Sequence, residues 1–377
     1  MFRPDRRALL AGGTAAVLGG CATTPKPTSG SLKALAAAKG ITFGSAAGTG
    51  RPGALTASFE DPAYRALLVE DCAAIVPENE LKFGWTRHTP DGLDFSAADR
   101  LAEFAARQDM KLRGHCLIWH HPQWFPEWIN TYDFGPRPAE AAERMVVEHI
   151  QTVTARYPQI GSWDVINETV DAETGALRDT PLSRAMGQSV LDVAFHAARE
   201  AMPTTELVYN DYMSWEAGHE AHRAGVLRLL EGFKARGVPC DALGVQSHIG
   251  SGNSDGSVGF DTAQETQWRR FLDEVTGMGY RLLVTEFDVH DKNLPADLPS
   301  RDLAVADLGR RYLDLMLSYP QLDTVMCWGM ADRYSWLQNM WLRQDRLPKR
   351  PTPYDAEFRP KPLHAAIADA FRAADPR

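Results

Sequence analysis

Cysteine is scarce in this 377-residue chain, and its five cysteines are too few and too scattered for a disulfide framework. None of them forms a Cys-x-x-Cys pair, so a cysteine-based metal site is not expected. Basic residues are not in excess either. The 40 Lys and Arg against 49 Asp and Glu give a net charge of −9, which argues against nucleic-acid binding. With 44% hydrophobic and 24% charged residues, the composition is that of a globular protein.

Long hydrophobic runs are missing as well. Residues 8–20 are small or apolar, but this run is shorter than the roughly 20 residues that a membrane-spanning helix needs. Arg3, Arg6 and Arg7 precede it, as in a cleaved signal peptide, and the Arg pair is similar to a twin-arginine export signal. The sequence therefore predicts a signal peptide over residues 1–20.

The signal peptide ends in Leu-Gly-Gly-Cys, which resembles a bacterial lipobox with Cys21 as the lipidated residue. A general signal peptide that happens to contain a cysteine is the alternative. Residues 21–31 are rich in Thr, Pro and Ser and read as a linker, so residues 32–377 remain for the catalytic domain. We expect an exported monomer in the bacterial cell envelope, either an outer-membrane lipoprotein or a periplasmic protein, whose contact with the membrane is the lipid at Cys21.

After the linker, short apolar runs alternate with longer amphipathic stretches of helical spacing. The predicted strands are Ile41–Ala46, Ala74–Pro77, Leu112–Trp119, Ser162–Asn167, Leu207–Asn210, Ala242–Gln246, Leu282–Thr285 and Thr324–Trp328. Eight strand–helix units in one chain predict an α/β protein with a single (β/α)8 TIM barrel. An open doubly wound sheet is the main alternative, although the Gly-rich stretch of residues 43–50 lacks the Lys-Ser or Lys-Thr of a P-loop.

Polar and aromatic residues cluster at the carboxyl ends of these strands, where a barrel carries its active site. Glu168 follows the fourth strand and Glu286 the seventh, so the two side chains are expected to face each other across the barrel mouth. A single Glu there would be read as a surface residue. A carboxylate pair with tryptophans nearby favours cleavage of a glycosidic bond, because indole stacks on sugar rings and one acid must protonate the leaving oxygen.

The order of these motifs resembles the retaining xylanases of glycoside hydrolase family ten, from about Ile41 to Phe371. The matching segments are Glu78–Lys82, Arg113–His115 with Trp119-His120, Trp163–Glu168, Gln246–His248, Thr285–Asp288, Trp328–Asp332 with Ser335-Trp336, and Asp355–Pro362.

This resemblance implies roles for individual residues. Glu168 would be the general acid/base and Glu286 the nucleophile, with their carboxyl groups about 5–5.5 Å apart. As catalytic support, His248 would hydrogen-bond the nucleophile, Asp288 would orient His248, and Asn167 would donate to the sugar 2-hydroxyl. The implied substrate-binding residues are Glu78, Asn79, Lys82, His115, Trp119 and Gln246 on the glycone side, Trp328 and Trp336 as an aromatic wall, and Tyr212 after the fifth strand.

The sequence therefore predicts an endo-1,4-β-xylanase that hydrolyses internal bonds of xylan or xylo-oligosaccharides, with no cofactor and no metal. Three alternatives remain open. An exo-acting or mixed-linkage glucan-cleaving relative would keep the mechanism, and a non-catalytic carbohydrate-binding lipoprotein would lack one of the two carboxylates. A barrel metallohydrolase is suggested by His115, His120 and His121, although no His-x-His ends the first strand.

Overall fold

The computed structural model describes residues 30–250 and 260–377, in which strands and helices alternate along the chain. The predicted signal peptide, Cys21 and all but the end of the predicted linker lie outside these residues. The strands are β1 Thr42–Ala47, β2 Ala74–Pro77, β3 Lys111–Leu112, β4 Ile118–Trp119, β5 Ser162–Asn167, β6 Glu206–Asp211, β7 Ala242–Val245, β8 His248–Gly250, β9 Arg281–His290 and β10 Leu322–Cys327. The helices are α1 Leu32–Ala37, α2 Pro62–Asp71, α3 Phe83–Thr86, α4 Ser96–Arg107, α5 Glu127–Asn130, α6 Pro138–Arg156, α7 Pro181–Met186, α8 Ser189–Ala201, α9 Glu220–Arg236, α10 Thr262–Gly277, α11 Leu298–Met316 and α12 Pro362–Ala373. Three short 3-10 helices span Ser58–Glu60, Asp332–Tyr334 and Trp336–Gln338.

The strands form one parallel sheet in the order β3-β2-β1-β10-β9-β7-β6-β5-β4, with β8 beside β9. The two ends of this order, β3 and β4, belong to one stretch of chain. Between them, Gly114 forms a parallel bridge to Trp163 of β5. The sheet therefore curls back on itself, consistent with the predicted (β/α)8 barrel rather than with an open sheet.

The third predicted strand, residues 112–119, is not continuous, which corrects the sequence analysis. Its ladder is regular at β3 and β4 and irregular between them, where Arg113 and His115 turn their buried side chains to the carboxylate of Asp164. Gly114 and Leu117 still form backbone hydrogen bonds of 2.9–3.0 Å to β5 there, so the chain stays in the sheet although the strand is interrupted.

The seventh predicted strand is longer than expected, since β9 continues through Glu286 to His290. This extension pairs with β8, in the register His248 opposite Asp288. No strand was predicted directly after Gln246. The added pairing places two residues of the candidate site side by side.

Burial explains why these segments become strands. All four residues of β2 and all four of β7 are buried, as expected for parallel strands covered by helices on one face and by barrel-filling side chains on the other. The helices bury one stripe each. In α4 the buried residues include Ala98, Leu101 and Ala105, which share one helix face.

The turn after β1 contains the spacing Gly48-x-Gly50-x-x-Gly53, which is also found in dinucleotide-binding turns. Here no helix opens at these glycines, since α2 begins only at Pro62. A Cβ atom on Gly48 would lie 2.9 Å from Oε2 of Glu78, so the glycine allows close contact with a site residue. This turn does not have the structure of a dinucleotide site.

Cys72, Cys116, Cys240 and Cys327 are buried free thiols. In the described part of the chain, no helix combines the length and apolar character needed to cross a membrane.

Candidate active site

A cleft of about 800 Å³ lies at the carboxyl ends of the strands. All the predicted catalytic, supporting and substrate-binding residues line it except Asp288, which is buried behind His248. The lining residues among them are Glu78, Asn79, Lys82, His115, Trp119, Asn167, Glu168, Tyr212, Gln246, His248, Glu286, Trp328 and Trp336. Parallel strands bring their carboxyl ends to one edge, so residues far apart in sequence meet here.

Glu168 is the first residue after β5 and lies in the left-handed backbone region, with φ of 54°. Its side chain is almost completely buried and is held from two sides. Trp119 Nε1 donates to Oε2 at 2.9 Å, and Gln246 Nε2 donates to Oε1 at 2.8 Å. The turned backbone and these two donors fix the direction in which the carboxyl group points.

The environment of Glu168 favours its protonated form. Burial raises the pKa of this carboxyl above its ordinary value, although the hydrogen bond from Gln246 opposes the shift. The nearby carboxylates of Asp211 and Glu286 raise the pKa further. Glu168 can therefore carry a proton under conditions in which an exposed Glu would be ionised.

Glu286, inside β9, is buried to a similar extent but accepts hydrogen bonds from cationic and neutral donors. Asn210 Nδ2 donates to Oε1 at 2.8 Å, and His248 Nε2 lies 3.1 Å from Oε2. Burial would raise the pKa of Glu286, but the positive charges of His115, His248 and Lys82 outweigh it and lower the pKa below its ordinary value. Two buried carboxyls in one cleft thus have pKa values shifted in opposite directions.

His248 is positioned by a carboxylate on each side of its ring. Nδ1 lies 3.0 Å from Asp288 Oδ1, while Nε2 faces Glu286. Burial alone would lower the pKa of His248, but Asp288 and Glu286 raise it to about 10. Asp288 also accepts a hydrogen bond of 2.8 Å from Trp336 Nε1, so it connects the histidine to the aromatic wall.

An amide pair lies between the two carboxylates. Asn210 Nδ2 donates to Asn167 Oδ1 at 2.9 Å as well as to Glu286, and Asn167 Nδ2 donates to Glu168 Oε1 at 3.3 Å. Thr285 Oγ1 donates to Asn210 Oδ1 at 2.7 Å and fixes the orientation of that amide. Asn210 was not predicted as a site residue, because its only signal in the sequence was its place at the end of a strand.

A buried ion pair supports His115. Arg113 contacts both oxygens of Asp164, at 2.6 and 2.5 Å, and His115 Nδ1 lies 2.8 Å from Asp164 Oδ2. The same nitrogen is 3.9 Å from Glu286 Oε1. The position of His115 next to Glu286 therefore depends on two residues that do not line the cleft.

On the side of the cleft formed by the loop after β2, Lys82 is the central residue. Its ammonium donates to Asn79 Oδ1 at 3.0 Å and lies 4.5 Å from the ring centre of Trp119 and 5.8 Å from that of Trp328. Burial raises the pKa of neighbouring Glu78 to about 8, against the opposing charge of Lys82. This part of the cleft offers hydrogen-bonding groups next to indole rings, as sugar hydroxyls and sugar faces require.

Tyr212, after β6, lines the cleft on the other side of β5. Its hydroxyl accepts a hydrogen bond of 2.8 Å from Arg178, which also donates to the backbone carbonyl of Glu168 at 3.0 Å. Tyr212 is therefore linked to the backbone of one carboxylate through a shared arginine.

Several cleft residues were not selected from the sequence. They are Trp85, His121, Trp124, Glu216, His219, His290 and Trp341, all in the lining. For the three tryptophans among them the residue type itself was a usable signal, since an exposed indole near a strand end is a candidate sugar contact. The three histidines and Glu216 carried no such signal.

The described residues contain no group of three or more His, Cys, Asp or Glu side chains placed to hold a metal ion. Of the histidines that suggested a metallohydrolase, His120 is buried and lies 2.9 Å from the hydroxyls of both Thr169 and Thr180. Its ring nitrogens are therefore engaged by protein groups.

Comparison with known proteins gives one consistent result. Residues 31–370 match the sequence model of Glycosyl hydrolase family 10. Endo-1,4-beta-xylanase 3 of Hypocrea jecorina is 29% identical over 303 residues, which cover 80% of this chain and 76% of that protein. Endo-1,4-beta-xylanase 5 of Pyricularia oryzae is 30% identical over 326 residues, which cover 85% of this chain and 74% of that protein.

Solved structures agree with the sequence comparison. Native xylanase 10B from Thermotoga maritima aligns with a TM-score of 0.78 at 26% identity, covering 90% of this chain and 98% of that one. Xylanase 10B from Thermotoga petrophila RKU-1, in complex with xylobiose, aligns with the same TM-score of 0.78 at 26% identity, covering 90% and 97%. The resemblance inferred from the motifs is thus confirmed, and the chain belongs to glycosyl hydrolase family 10.

Proposed function

We propose that this chain is an endo-1,4-β-xylanase that works by a two-step retaining mechanism, with Glu286 as the nucleophile and Glu168 as the general acid/base. The observation that carries the assignment is geometric: Glu168 and Glu286 lie buried in one cleft and are joined through the amides of Asn167 and Asn210. Their pKa values are shifted in opposite directions, lowered at Glu286 and raised at Glu168. A retaining glycosidase needs this combination, because one group must attack as an anion while the other donates a proton.

In the first step, a Glu286 oxygen forms a bond to the anomeric carbon and the glycosidic bond breaks. The leaving oxygen takes the proton of Glu168, which becomes a carboxylate. In the second step, Glu168 removes a proton from water, the resulting hydroxyl bonds to the anomeric carbon, and Glu286 leaves as a carboxylate. Two inversions give net retention, and Glu168 ends protonated as it began.

Neighbouring residues act on these two groups. His248, held by Asp288, keeps Glu286 ionised by its positive charge and its hydrogen bond. Asn167 lies between the carboxylates, where its amide can reach the 2-hydroxyl of the sugar being transferred. Hydrogen bonds to this hydroxyl strengthen in the transition state and lower the barrier.

The shape of the cleft supports internal cleavage. Its lining extends from the loop after β2, through Lys82 and Trp85, to the loop after β6, through Tyr212 and His219. Sugars can therefore be held on both sides of the carboxylates. The named relatives are endo-1,4-beta-xylanases, and a solved relative binds xylobiose, so we propose β-1,4-linked xylose as the substrate.

Product analysis on linear xylo-oligosaccharides and on branched xylan tests this assignment. We expect internal cleavage by the wild type, loss of cleavage in Glu286→Ala and strong impairment in Glu168→Ala. Addition of azide to Glu168→Ala should restore turnover of substrates with good leaving groups, since azide can replace water without base catalysis.

Other outcomes select the alternatives. Release of single xyloses from one chain end would make the enzyme exo-acting, and cleavage of mixed-linkage glucan without xylan would change the substrate. Binding without any hydrolysis would favour the carbohydrate-binding lipoprotein. Loss of activity in chelator, restored by added metal, would revive the metallohydrolase.

We also propose that the protein is exported and anchored in the cell envelope by acylation of Cys21, after removal of residues 1–20, and that residues 21–31 act as a tether. The Arg-rich start, the short apolar run and the lipobox-like Leu-Gly-Gly-Cys support this. Mass spectrometry of the mature protein should find an acylated Cys21 as its first residue, and Cys21→Ser should release the protein from the membrane fraction. Unmodified protein free in the medium would contradict the anchor.

Since the cleft is built by one chain, we propose that a monomer is active. Light scattering at assay concentration tests this, and activity confined to a larger species would contradict it.

A further inference from the structure

Three indoles of the cleft wall, those of Trp85, Trp124 and Trp341, have no part in the proposed mechanism, and the first two lie on neighbouring segments of the chain. Trp85 and Trp124 are each 45% exposed, although both lie in the lining. Large aromatic side chains usually bury most of their surface, and a cluster of them left open in a concave site marks a binding surface.

Trp124 is held rigidly. Its ring stacks on Trp119, with the centroids 5.0 Å apart and the planes inclined by 18°. Its backbone N–H donates to the carbonyl of His121 at 3.0 Å. The next residue, Phe125, is buried and packs edge-on against Phe83, with the ring centroids 6.1 Å apart. A ring fixed in this way can bind a ligand at small entropic cost.

Trp85 lies on the same part of the rim. It belongs to α3, which begins at Phe83, and a Cβ atom on Gly84 would lie 3.4 Å from the ring of Pro126. Helix α3 is therefore in contact with the loop that carries Trp124, and both exposed indoles line the cleft.

Trp119 connects the carboxylate of Glu168 to the part of the cleft that holds Trp124. Its indole nitrogen donates to Glu168, and the Lys82 ammonium lies 4.5 Å from its ring centre. Lys82 and Trp119 are among the residues that we assign to the glycone side. Trp124, stacked on Trp119, is one ring farther out along that side.

We propose that Trp124, with Trp85 beside it, forms a distal glycone subsite that binds a third xylose ring, counted from the cleaved bond, by stacking on its apolar face. His121 and Gln123 line the cleft next to Trp124 and offer hydrogen-bonding atoms to the sugar hydroxyls. The inference rests on the proposed function and adds a preference for substrates with three or more sugars on the glycone side.

Aryl β-xylosides test this, because the aryl group occupies the leaving-group position and each added sugar extends the glycone. The measurement is kcat/KM for aryl xylobioside and aryl xylotrioside in the wild type, Trp124→Ala, Trp124→Phe and Trp85→Ala. We expect the wild type to prefer the xylotrioside. In Trp124→Ala the trioside-to-bioside ratio should fall about tenfold, mainly through KM, because one ring stack is lost.

The other variants separate stacking from folding. Trp124→Phe keeps a ring and should keep most of the preference, whereas Trp85→Ala should lose part of it. Tyr132→Ala is the matched control, since Tyr132 is an aromatic residue, 38% exposed, outside the cleft lining. This variant should leave the ratio unchanged.

An unchanged ratio in Trp124→Ala, with both substrates slowed equally, would overturn the inference. Trp124 would then act by supporting Trp119 and Glu168, and the alkaline limb of the pH profile would shift. Cleavage of neither substrate by the wild type would instead overturn the proposed function, and this inference with it.

Discussion

Asn210 donates a hydrogen bond of 2.8 Å to Glu286, and the two residues come from strands 76 positions apart in the chain. The same amide nitrogen donates to Asn167, which in turn contacts Glu168. The two carboxylates are therefore coupled through side-chain amides. A change at Asn210 should affect the chemistry although this residue does not line the cleft.

Replacing Asn210 by Ala should lower kcat/KM on aryl xylobioside about 10- to 100-fold, because a hydrogen bond to an ionised carboxylate is worth about 1.5–3 kcal/mol. The acidic limb of the pH profile should move to higher pH, since the lost donor favoured ionised Glu286. Thr285→Val should have a smaller effect in the same direction, because Thr285 orients this amide, and Thr285→Ser should resemble the wild type. An acidic limb that stays in place would contradict this account.

The pH dependence of kcat/KM should be bell-shaped, with ionisation of Glu286 on the acidic side and deprotonation of Glu168 on the alkaline side. Trp119→Phe should move the alkaline limb to higher pH. The indole N–H stabilises the ionised form of Glu168, so its removal raises that pKa further. A shift to lower pH in this variant would mean that another group sets the alkaline limb.

His248 should remain protonated through neutral pH, because Asp288 and Glu286 raise its pKa to about 10. Its contribution to stability should be complete below the ordinary histidine pKa of 6.5 and should be lost as the pH rises through about 10. Nitrogen NMR of labelled histidine checks this, since both ring nitrogens should carry protons at pH 8. Asp288→Asn should lower this pKa, and a neutral ring at pH 8 in the wild type would refute the prediction.

Arg113→Leu should destabilise the protein by about 3–5 kcal/mol, because it leaves the carboxylate of Asp164 buried without its partner. Urea denaturation measures this free energy of unfolding. Arg236→Leu is the matched control, since it breaks a similar bidentate pair with Asp192 at the surface. That loss should cost less than about 1 kcal/mol. Equal losses in the two variants would show that the burial of Asp164 has no special cost.

Much of the fold could be predicted from the sequence, because its signals are local. Alternation of apolar runs with amphipathic stretches depends on neighbouring residues, and strands such as β2 and β5 were predicted with the observed bounds. Glu168 and Glu286 could be expected to lie in one cleft, as they do, because the carboxyl ends of parallel strands meet at one edge and a position in the strand pattern implies a position in space. The lipid anchor at Cys21 stays a prediction.

Other features depend on contacts between distant segments. No local pattern separates Asn210 from other polar residues at strand ends, and the stacking of Trp124 on Trp119 depends on the path of one loop. The break between β3 and β4 lies where Arg113 and His115 contact Asp164, about 50 positions away in the chain, and no local pattern shows that contact.

The sequence by itself determined the order of strands and helices and the identity of the two carboxylates. The opposite shifts of their two pKa values depend on the tertiary structure. Both are glutamates with the same ordinary pKa, and both are buried. They differ because folding places Asp211 near Glu168 but the positive charges of His115, His248 and Lys82 near Glu286, and electrostatic energy depends on distances in space rather than along the chain.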